Sequence, residues 1–370
     1  MRWLLNIDRR IIFLLVLVAI VAAFFVPMKM PIVPSKPVLG AFEGMDRLPA
    51  RAPVLIAMDY DPASRAELVP MNVALLRHAF QKDCRIIGMT MWPNNVSLAD
   101  ELMTVTAGEF DDVEVRAILT GQKGATNVLL EQIARGTVSF ETAFRAAERE
   151  GATRTGTFNP GYGRGTDWCP FSREVHDALG SGTGLVRRLV PGAGDKWCLM
   201  EVTKRTPTKR YGHDYVFLGY QPGTGVLVIN MGQNLYAAFP TDQAGTRTSE
   251  IPMLKDVRSL RDIKYVVDIA AGNTGEVWVV YGHEKYGFPM AIGCTAVIAP
   301  DLYPYYAAHQ ITGILGGIKG AWEYEKLIDR PGEATDRIPA QTVSHCLVIV
   351  LILFCNVAYF LVGRKQAAAR

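Results

Sequence analysis

Two apolar segments near the ends of the chain restrict its fold more than any other feature. Residues 11–26, IIFLLVLVAIVAAFFV, carry no charged or strongly polar side chain, and residues 346–362, CLVIVLILFCNVAYFLV, carry Asn356 as their one amide. A helix of about 20 residues crosses the ~30 Å of hydrocarbon in a bilayer. We therefore predict transmembrane helices at 11–27 and 344–363.

Each apolar segment has an alternative interpretation. The first could be a cleaved signal peptide, although its apolar run is slightly long and AAFFVP is a poor small-residue cleavage site. The second could be a buried core helix, although the basic tail that follows it favours a membrane span. We favour an anchor at both ends.

The charges at the two ends predict the orientation. Basic residues of short tails stay in the cytoplasm. In this chain, basic residues lie between each apolar segment and the nearer terminus: Arg2, Arg9, Arg10, Arg364, Lys365 and Arg370. We therefore expect cytoplasmic tails at 1–10 and 364–370 in a plasma membrane. The main domain is then extracytoplasmic.

Composition divides the chain between the anchors. A proline-rich spacer is predicted at 28–50 and a polar linker at 331–343. The domain itself covers 51–330, and 151–212 interrupts it as a glycine-rich and basic insertion.

Within this domain, strand-like runs alternate with helical patterns. The runs PVLIAMD, CRIIGMT and VEVRAILT are followed by helical spacing at 63–81, 97–110 and 125–150. The alternation resumes in DYVFLGY, GVLVINMG, IKYVVDIAAG and FPMAIGCTAVIAP. This pattern predicts an α/β domain with a mostly parallel, doubly wound sheet, flanked by the two single transmembrane helices.

The two ends of the domain share a weak internal repeat. A strand ending near Asp59 precedes a helix and Ile87-Gly88-Met89-Thr90, and a strand holding Asp268 precedes a helix and Ile292-Gly293-Cys294-Thr295. A duplicated strand–helix–strand unit explains this pattern. A chance likeness between two doubly wound units explains it equally well.

The carboxyl ends of the predicted strands hold the best candidates for ligand binding. Open parallel sheets bind ligands beyond these ends, where Asp59 and Asp61 of MDYDP lie. Two nearby carboxylates can hold a cation or a sugar hydroxyl, or perturb each other's pKa for acid–base chemistry. In the alternative, Asp61 caps the next helix and Asp59 is a solvated turn residue. Similar strand ends carry three further candidates, Asn94, Asn273 and Thr295.

No motif points to catalysis, a metal or a cofactor. HExxH, GxGxxG, GxxxxGK[ST] and GxSxG are all missing from the sequence. We therefore name no catalytic residue, expect no metal or cofactor, and lean away from an enzyme without excluding one. The net charge of +3 is nearly balanced, so nothing favours a nucleic-acid partner.

The segment GILGGIKGA at 313–321 poses a packing problem. Its flanks predict a helix around 305–328, which would place four glycines on one face: Gly313, Gly316, Gly317 and Gly320. Interior glycines cost about 0.8–1 kcal/mol each, or about 3–4 kcal/mol together. Close packing of the glycine face has to offset this free-energy cost, either against the protein's own sheet or against another subunit. We treat the four glycines as a candidate partner interface.

The cysteines do not form a dense disulfide framework. Cys84 and Cys294 lie in apolar runs and are expected to be buried thiols. Cys169 and Cys198 flank a glycine-rich, polar stretch, and an oxidising compartment would allow them to form a disulfide.

Three segments carry a family resemblance. RYGHDYVFLGYQPG, FPTDQAGT and QITGILGGIKGAWEYEKL together resemble a family of uncharacterised bacterial membrane-anchored α/β proteins. The resemblance covers about half of the domain and neither span. It implies a bacterial origin and two anchors, and no activity comes with it.

These observations favour a non-catalytic, membrane-anchored component of a bacterial envelope complex, which acts through protein–protein association. Its expected partners are the lipid bilayer and other membrane proteins or a second copy of itself. A small-ligand receptor or transporter accessory domain is the alternative, and an envelope hydrolase that uses Asp59 and Asp61 is a further one.

Overall fold

The structure is a computed structural model that describes residues 9–25, 33–120, 138–149, 153–158, 184–189 and 197–367. Its strands are β1 (Pro53–Asp59), β2 (Arg85–Thr90), β3 (Asp112–Thr120), β4 (Thr153–Phe158), β5 (Gly184–Leu189), β6 (Trp197–Thr206), β7 (Tyr215–Tyr220), β8 (Tyr265–Ala270), β9 (Met290–Cys294) and β10 (Gly313–Gly316).

The helices are α1 (Arg9–Phe25), α2 (Lys36–Asp46), α3 (Arg65–Gln81), α4 (Val96–Gly108), α5 (Phe140–Arg149), α6 (Thr224–Gln233), α7 (Leu235–Ala238), α8 (Thr274–Val277), α9 (Glu284–Tyr286), α10 (Ala299–Ala307), α11 (Gly317–Leu327) and α12 (Glu333–Ala367). A π-helical turn, Trp278–His283, joins α8 to α9. Short 3₁₀ turns lie at Pro62–Ser64, Pro93–Asn95, Thr248–Glu250, Pro252–Leu254 and Leu260–Asp262.

The main sheet has six strands in the order β10–β9–β8–β1–β2–β7. The pairs β10/β9, β9/β8, β1/β2 and β2/β7 are parallel. Between β1 and β8, the Lys264 amide donates to the Pro53 carbonyl and the Ala271 amide to the Asp59 carbonyl, so these strands also run in one direction. In chain order the strands lie 6-5-4-1-2-3, the order of doubly wound sheets. The predicted α/β class and parallel sheet are confirmed.

A second sheet of four antiparallel strands has the order β4–β3–β6–β5. Its strand β3 contains VEVRAILT, which we had predicted as a strand of the parallel sheet. The sheet also contains β4, β5 and β6, so most of the described part of the predicted insertion at 151–212 is strand and not loop. We had predicted a helix at 125–150. Of this range the structure describes 138–149, where Phe140–Arg149 form α5. Cys169 lies outside the described residues, and so does any pairing with Cys198.

The chain divides into two compact units. The first unit comprises Met1–Arg47, Asp59–Leu75 and Val266–Arg370, and the second comprises Leu48–Met58 and Leu76–Tyr265. In the first unit, Trp278 and Tyr324 are fully buried. In the second, the ring of Phe80 contacts those of Phe110 and Tyr215, with centroids 5.5 and 5.8 Å apart.

Among the described residues, one helix is long and apolar enough to cross a membrane, over Glu333–Val357 of α12. Helix α1 has 17 described residues. The described part of α1 is therefore about 25 Å long, which is less than the ~30 Å of hydrocarbon. The structure thus supports one candidate membrane helix, where we had predicted two. Helix α1 packs against α12.

Each of the two segments predicted as connectors contains helix in its described part. In the spacer at 28–50, Pro37 lies in the first turn of α2, where proline is tolerated. Val38, Ala41 and Met45 then form a buried face at helical spacing. The predicted linker at 331–343 is mostly the beginning of α12.

Two further elements differ from prediction. GVLVINMG forms helix α6, whose buried residues Leu227, Val228 and Met231 follow helical spacing, so the expected strand is wrong. The helix predicted around 305–328 is also wrong. Its residues form α10, the edge strand β10 and helix α11, because Gly313 and Ile314 pair with β9.

Candidate functional site

The candidate site is a pair of buried carboxyl groups in the first unit. Asp59 ends β1, and Asp268 lies in β8. These strands are the first and fourth of the doubly wound order, between which the direction of strand progression reverses. Such sheets bind ligands beyond the strand ends at this reversal. Both aspartates are fully buried.

The two carboxyl groups interact directly. Burial raises the pKa of Asp268 well above its ordinary value, and the negative charge of Asp59 and a hydrogen bond with it raise this pKa further, while the Thr274 hydroxyl lowers it. Neither oxygen of Asp268 has a well-formed hydrogen bond to a donor among the described residues. Because two interacting buried carboxyl groups resist being charged together, the protonated form of Asp268 is favoured and the pair can share a proton.

Small and polar neighbours surround Asp268. A Cβ atom at Gly275 would lie 3.0 Å from Ile292 Cδ1, which is tighter than an ordinary contact, and 3.5 Å from Oδ2 of Asp268, which is an ordinary van der Waals distance. On the adjacent strand β9, burial first, and the charges of Asp268 and Glu67 next, raise the pKa of the Cys294 thiol to about 12. Glu67 accepts a hydrogen bond from the Ala296 amide at 2.9 Å. The arrangement can store a proton and, if opened, bind a polar group or cation.

Asp59 and Asp61 do not act as the predicted pair. Asp61 caps the 3₁₀ turn before α3 by accepting hydrogen bonds from the Ala63 and Ser64 amides, at 2.9 and 3.1 Å. This is the alternative that we gave for Asp61. Asp59 is not a solvated turn residue, because it is buried beside Asp268.

The other three sequence candidates lie at strand ends but are not buried with the pair. Asn273 is exposed just before α8, and Thr295 is half-buried after β9, where its carbonyl accepts from the Ile298 amide at 3.1 Å. Asn94 is exposed in the second unit. There its neighbour Asn95 is buried and donates to the Met58 carbonyl at 2.8 Å.

Sequence reasoning left Asp268, Thr274 and Glu67 out of the site. A signal for Asp268 was available in the internal repeat, which placed Asp59 and Asp268 at corresponding positions. The first strands of the two halves of a doubly wound sheet, here β1 and β8, are neighbours at its centre. The repeat therefore predicts the contact that the structure shows.

The glycines of 313–321 pack closely against other residues of the first unit. A Cβ at Gly313 would lie 2.2 Å from the Pro37 carbonyl oxygen in α2, and one at Gly320 would lie 2.8 Å from backbone of Leu315. Gly317 has a φ of +58° and packs against Ala296 and Glu67. Gly313, Gly317 and Gly320 are buried and Gly316 is half-buried, so the four form no exposed face.

Two open cavities lie among the described residues of the second unit. One, of about 290 Å³, is lined by Arg51, Arg85, His213, Pro252, Met253 and Asp256. The other, of about 360 Å³, is lined by Val96, Ser97, Asp100, Glu101, Thr104, Val105 and Gln243. In the first, Asp214 and Asp256 already pair with the two guanidinium groups. In the second, burial and then the charge of Asp242 raise the pKa of Asp100.

Within the described part of the chain, no three histidine, cysteine or acidic side chains are grouped so that they could hold a metal ion.

Comparison with known proteins assigns no family to this chain. No family model matches it, no curated protein matches it significantly, and no solved structure matches its fold significantly.

Proposed function

We propose that this protein is a non-catalytic, membrane-anchored component of a bacterial envelope complex, with both termini in the cytoplasm and its α/β domain on the extracytoplasmic side. The observation that carries the proposal is the continuity of α12. Its first turns belong to the folded domain, where Ala334, Ile338 and Ala340 are buried. Its later turns expose large apolar side chains: Val348, Ile349, Val350, Ile352, Leu353, Phe354, Val357 and Phe360.

A bilayer is the environment that these exposed side chains favour. In water each would leave much of its apolar surface hydrated, at about 25 cal/mol per Å². Helix α1, beside α12, exposes a similar set: Phe13, Leu14, Leu17, Val18 and Val21. In the proposal, the segment 11–27 is the second span, as expected from the sequence, and it enters the same bilayer as α12.

The attachment of the domain supports a role in an assembly. Glu325 of α11 is buried and accepts hydrogen bonds at the start of α12 from the Gly332, Ala334 and Thr335 amides and the Thr335 hydroxyl, at 2.6–3.1 Å. The domain is thus joined to α12 by a capped helix and not by a flexible tether. A domain held in this way presents one surface at a fixed height above the lipid.

Anchoring and orientation are tested on the full chain in a bacterial host. We expect the protein to stay with membranes after alkaline extraction and to float with them in a density gradient. A fluorescent-protein fusion at Arg370 should be bright and an alkaline phosphatase fusion there inactive, because the tail is cytoplasmic. Release by alkali would overturn the anchor, and an active phosphatase would overturn the orientation.

The component role needs a separate measurement. Extraction in mild detergent followed by native mass spectrometry should give a stoichiometric complex, either with other membrane proteins or with further copies. A monomer alone, from membranes that passed the extraction test, would contradict the role in an assembly and leave the anchor intact.

A second candidate function is the binding of a small polar ligand at the reversal of the sheet, supported by the position of Asp59 and Asp268 there. A thermal-shift screen with sugars, amino acids and divalent cations tests it. A ligand at 100 times its Kd should stabilise the fold by about 2.7 kcal/mol. Asn273→Ala should abolish that shift, whereas Asn94→Ala, an equally exposed asparagine in the second unit, should not. A screen without any shift would contradict this function.

A further inference from the structure

Asn356 is a polar residue within the apolar half of α12. Its side chain is exposed, and its Nδ2 donates to the Ile352 carbonyl one turn earlier, at 3.0 Å. Asn356 lies eight positions before Arg364, about 12 Å along the helix, and hence near the middle of a ~30 Å hydrocarbon layer. Lipid offers no partner for the remaining amide proton or for the carbonyl oxygen at this depth.

The residues around Asn356 form a regular stripe. Cys346, Ile349, Leu353, Asn356 and Phe360 are all exposed and follow one another at spacings of three, four, three and four residues. This is the heptad spacing of a helix that packs against a parallel partner helix in a left-handed pair. We call these five residues the α12 stripe.

The α12 stripe lies opposite the side that is covered within the chain. Ser344, Leu347 and Leu351 are half-buried and follow helical spacing, while α1 packs against α12. At 100° per residue, the members of the stripe lie about 140–180° around the helix axis from Leu351. Helix α1 therefore does not cover the stripe.

We infer that the α12 stripe is a self-association surface, on which a second copy of this chain packs its own α12 stripe with the two Asn356 side chains hydrogen-bonded to each other. This inference rests on the membrane anchor of the proposed function and names the partner. Two copies inserted with the same orientation place Asn356 at the same depth. The amide is self-complementary, since it offers both donors and an acceptor. A single asparagine in an apolar heptad seam also fixes the register and number of helices, and amide hydrogen bonds between helices stabilise association in bilayers.

The native cysteines test the geometry in the full-length protein. Cys346 belongs to the stripe, whereas Cys355 lies about 100° away from Asn356 around the axis. Air oxidation with copper phenanthroline in native membranes should give a disulfide-linked dimer on a non-reducing gel. Cys346→Ser should abolish this dimer and Cys355→Ser should retain it. The reverse pattern, or no dimer in either case, would overturn the inference.

The role of the amide is tested by moving it. The double variant Asn356→Val/Val357→Asn keeps the composition and hydropathy of the helix but takes the amide off the stripe. We expect the dissociation constant, measured by energy transfer between labelled copies in vesicles, to rise by about 3- to 30-fold, as expected for the loss of interhelical hydrogen bonds. Cross-linking through Cys346 should also fall in the double variant. The single variant Asn356→Gln keeps an amide on the α12 stripe, so it should retain part of the cross-linking that the double variant loses. Unchanged association in the double variant would contradict the inference.

The two proposals fail in different ways. If the wild-type protein is released by alkali, the anchor is wrong. If it stays in the membrane but neither cross-links through Cys346 nor transfers energy between copies, the anchor stands and self-association through the α12 stripe is wrong.

Discussion

The carboxylate of Glu323 in α11 accepts hydrogen bonds from the backbone amide and the hydroxyl of Ser35, at 3.1 and 2.6 Å, across 288 positions of sequence. Ser35 precedes α2, the first described helix after α1. Two residues later in α11, Glu325 caps the start of α12 in the same manner. One helix of the domain therefore holds the two chain segments that lead to α1 and α12.

Glu325→Ala should destabilise the first unit by about 2–4 kcal/mol, since it removes a buried carboxylate and leaves helix N-terminal amides without an acceptor. Glu333→Ala is the matched control, because the Glu333 side chain is 41% exposed and its ion pair with Arg337 is a surface pair worth less than ~1 kcal/mol. Urea unfolding of the detergent-solubilised full chain, followed by tryptophan fluorescence, measures both. Equal effects would show that the cap does not stabilise the fold.

Gly317→Ala should cost about 2–4 kcal/mol, from the positive φ and from a Cβ that would lie 2.8 Å from Ala296 Cβ and 2.9 Å from Glu67 Oε2. Gly287→Ala separates the two causes. Gly287 has a φ of +76° but nothing within 4 Å of a Cβ, so this variant should cost about 1 kcal/mol. The same unfolding assay measures both variants. If the two variants cost the same free energy, backbone strain alone would explain the destabilisation by Gly317→Ala.

Stability should decline with rising pH because of Asp268. Its pKa is raised in the folded state, so above about pH 4 the unfolded chain releases this proton first, and folding is weakened by up to about 1.4 kcal/mol per pH unit until the folded group also ionises. Asp268→Asn should flatten this decline, with Asp301→Asn at an exposed position as the control. Unfolding midpoints between pH 4 and 8 give the two slopes. Parallel curves for Asp268→Asn and the wild type would refute the shared proton.

Cys84 and Cys294 should resist alkylation in the folded protein. Burial raises the pKa of Cys84 to about 11, and burial together with nearby carboxylates raises that of Cys294 to about 12, so neither forms a thiolate near pH 8. Labelling with N-ethylmaleimide before and after denaturation, read by peptide mass spectrometry, should modify both only after denaturation. Fast labelling of Cys294 in the native state would mean that the edge beside Asp268 is open.

The strand and helix pattern of the βαβ units was readable because each element satisfies its own local preference. The apolar run 53–59 and the helical spacing of 65–81 agree with the tertiary structure that they enter. GVLVINMG was misread, because its β-branched residues favour a strand while its buried positions follow a helical period that only packing selects. GILGG was misread in the opposite sense, because pairing with β9 outweighs the helical character of its flanks.

By itself, the sequence determined the α/β class, the apolar character of both ends and the positions of polar residues after the strands, since these depend on hydrophobic period and on residue type alone. The tertiary structure decided which polar residues meet. Asp59 interacts with Asp268 and not with its near neighbour Asp61, because the strand order places β1 beside β8, whereas Asp61 lies beyond the end of β1 and caps the turn before α3. It also decided that 333–343 becomes helix, because Glu325 caps the start of α12 and because Ala334 and Ile338 are buried.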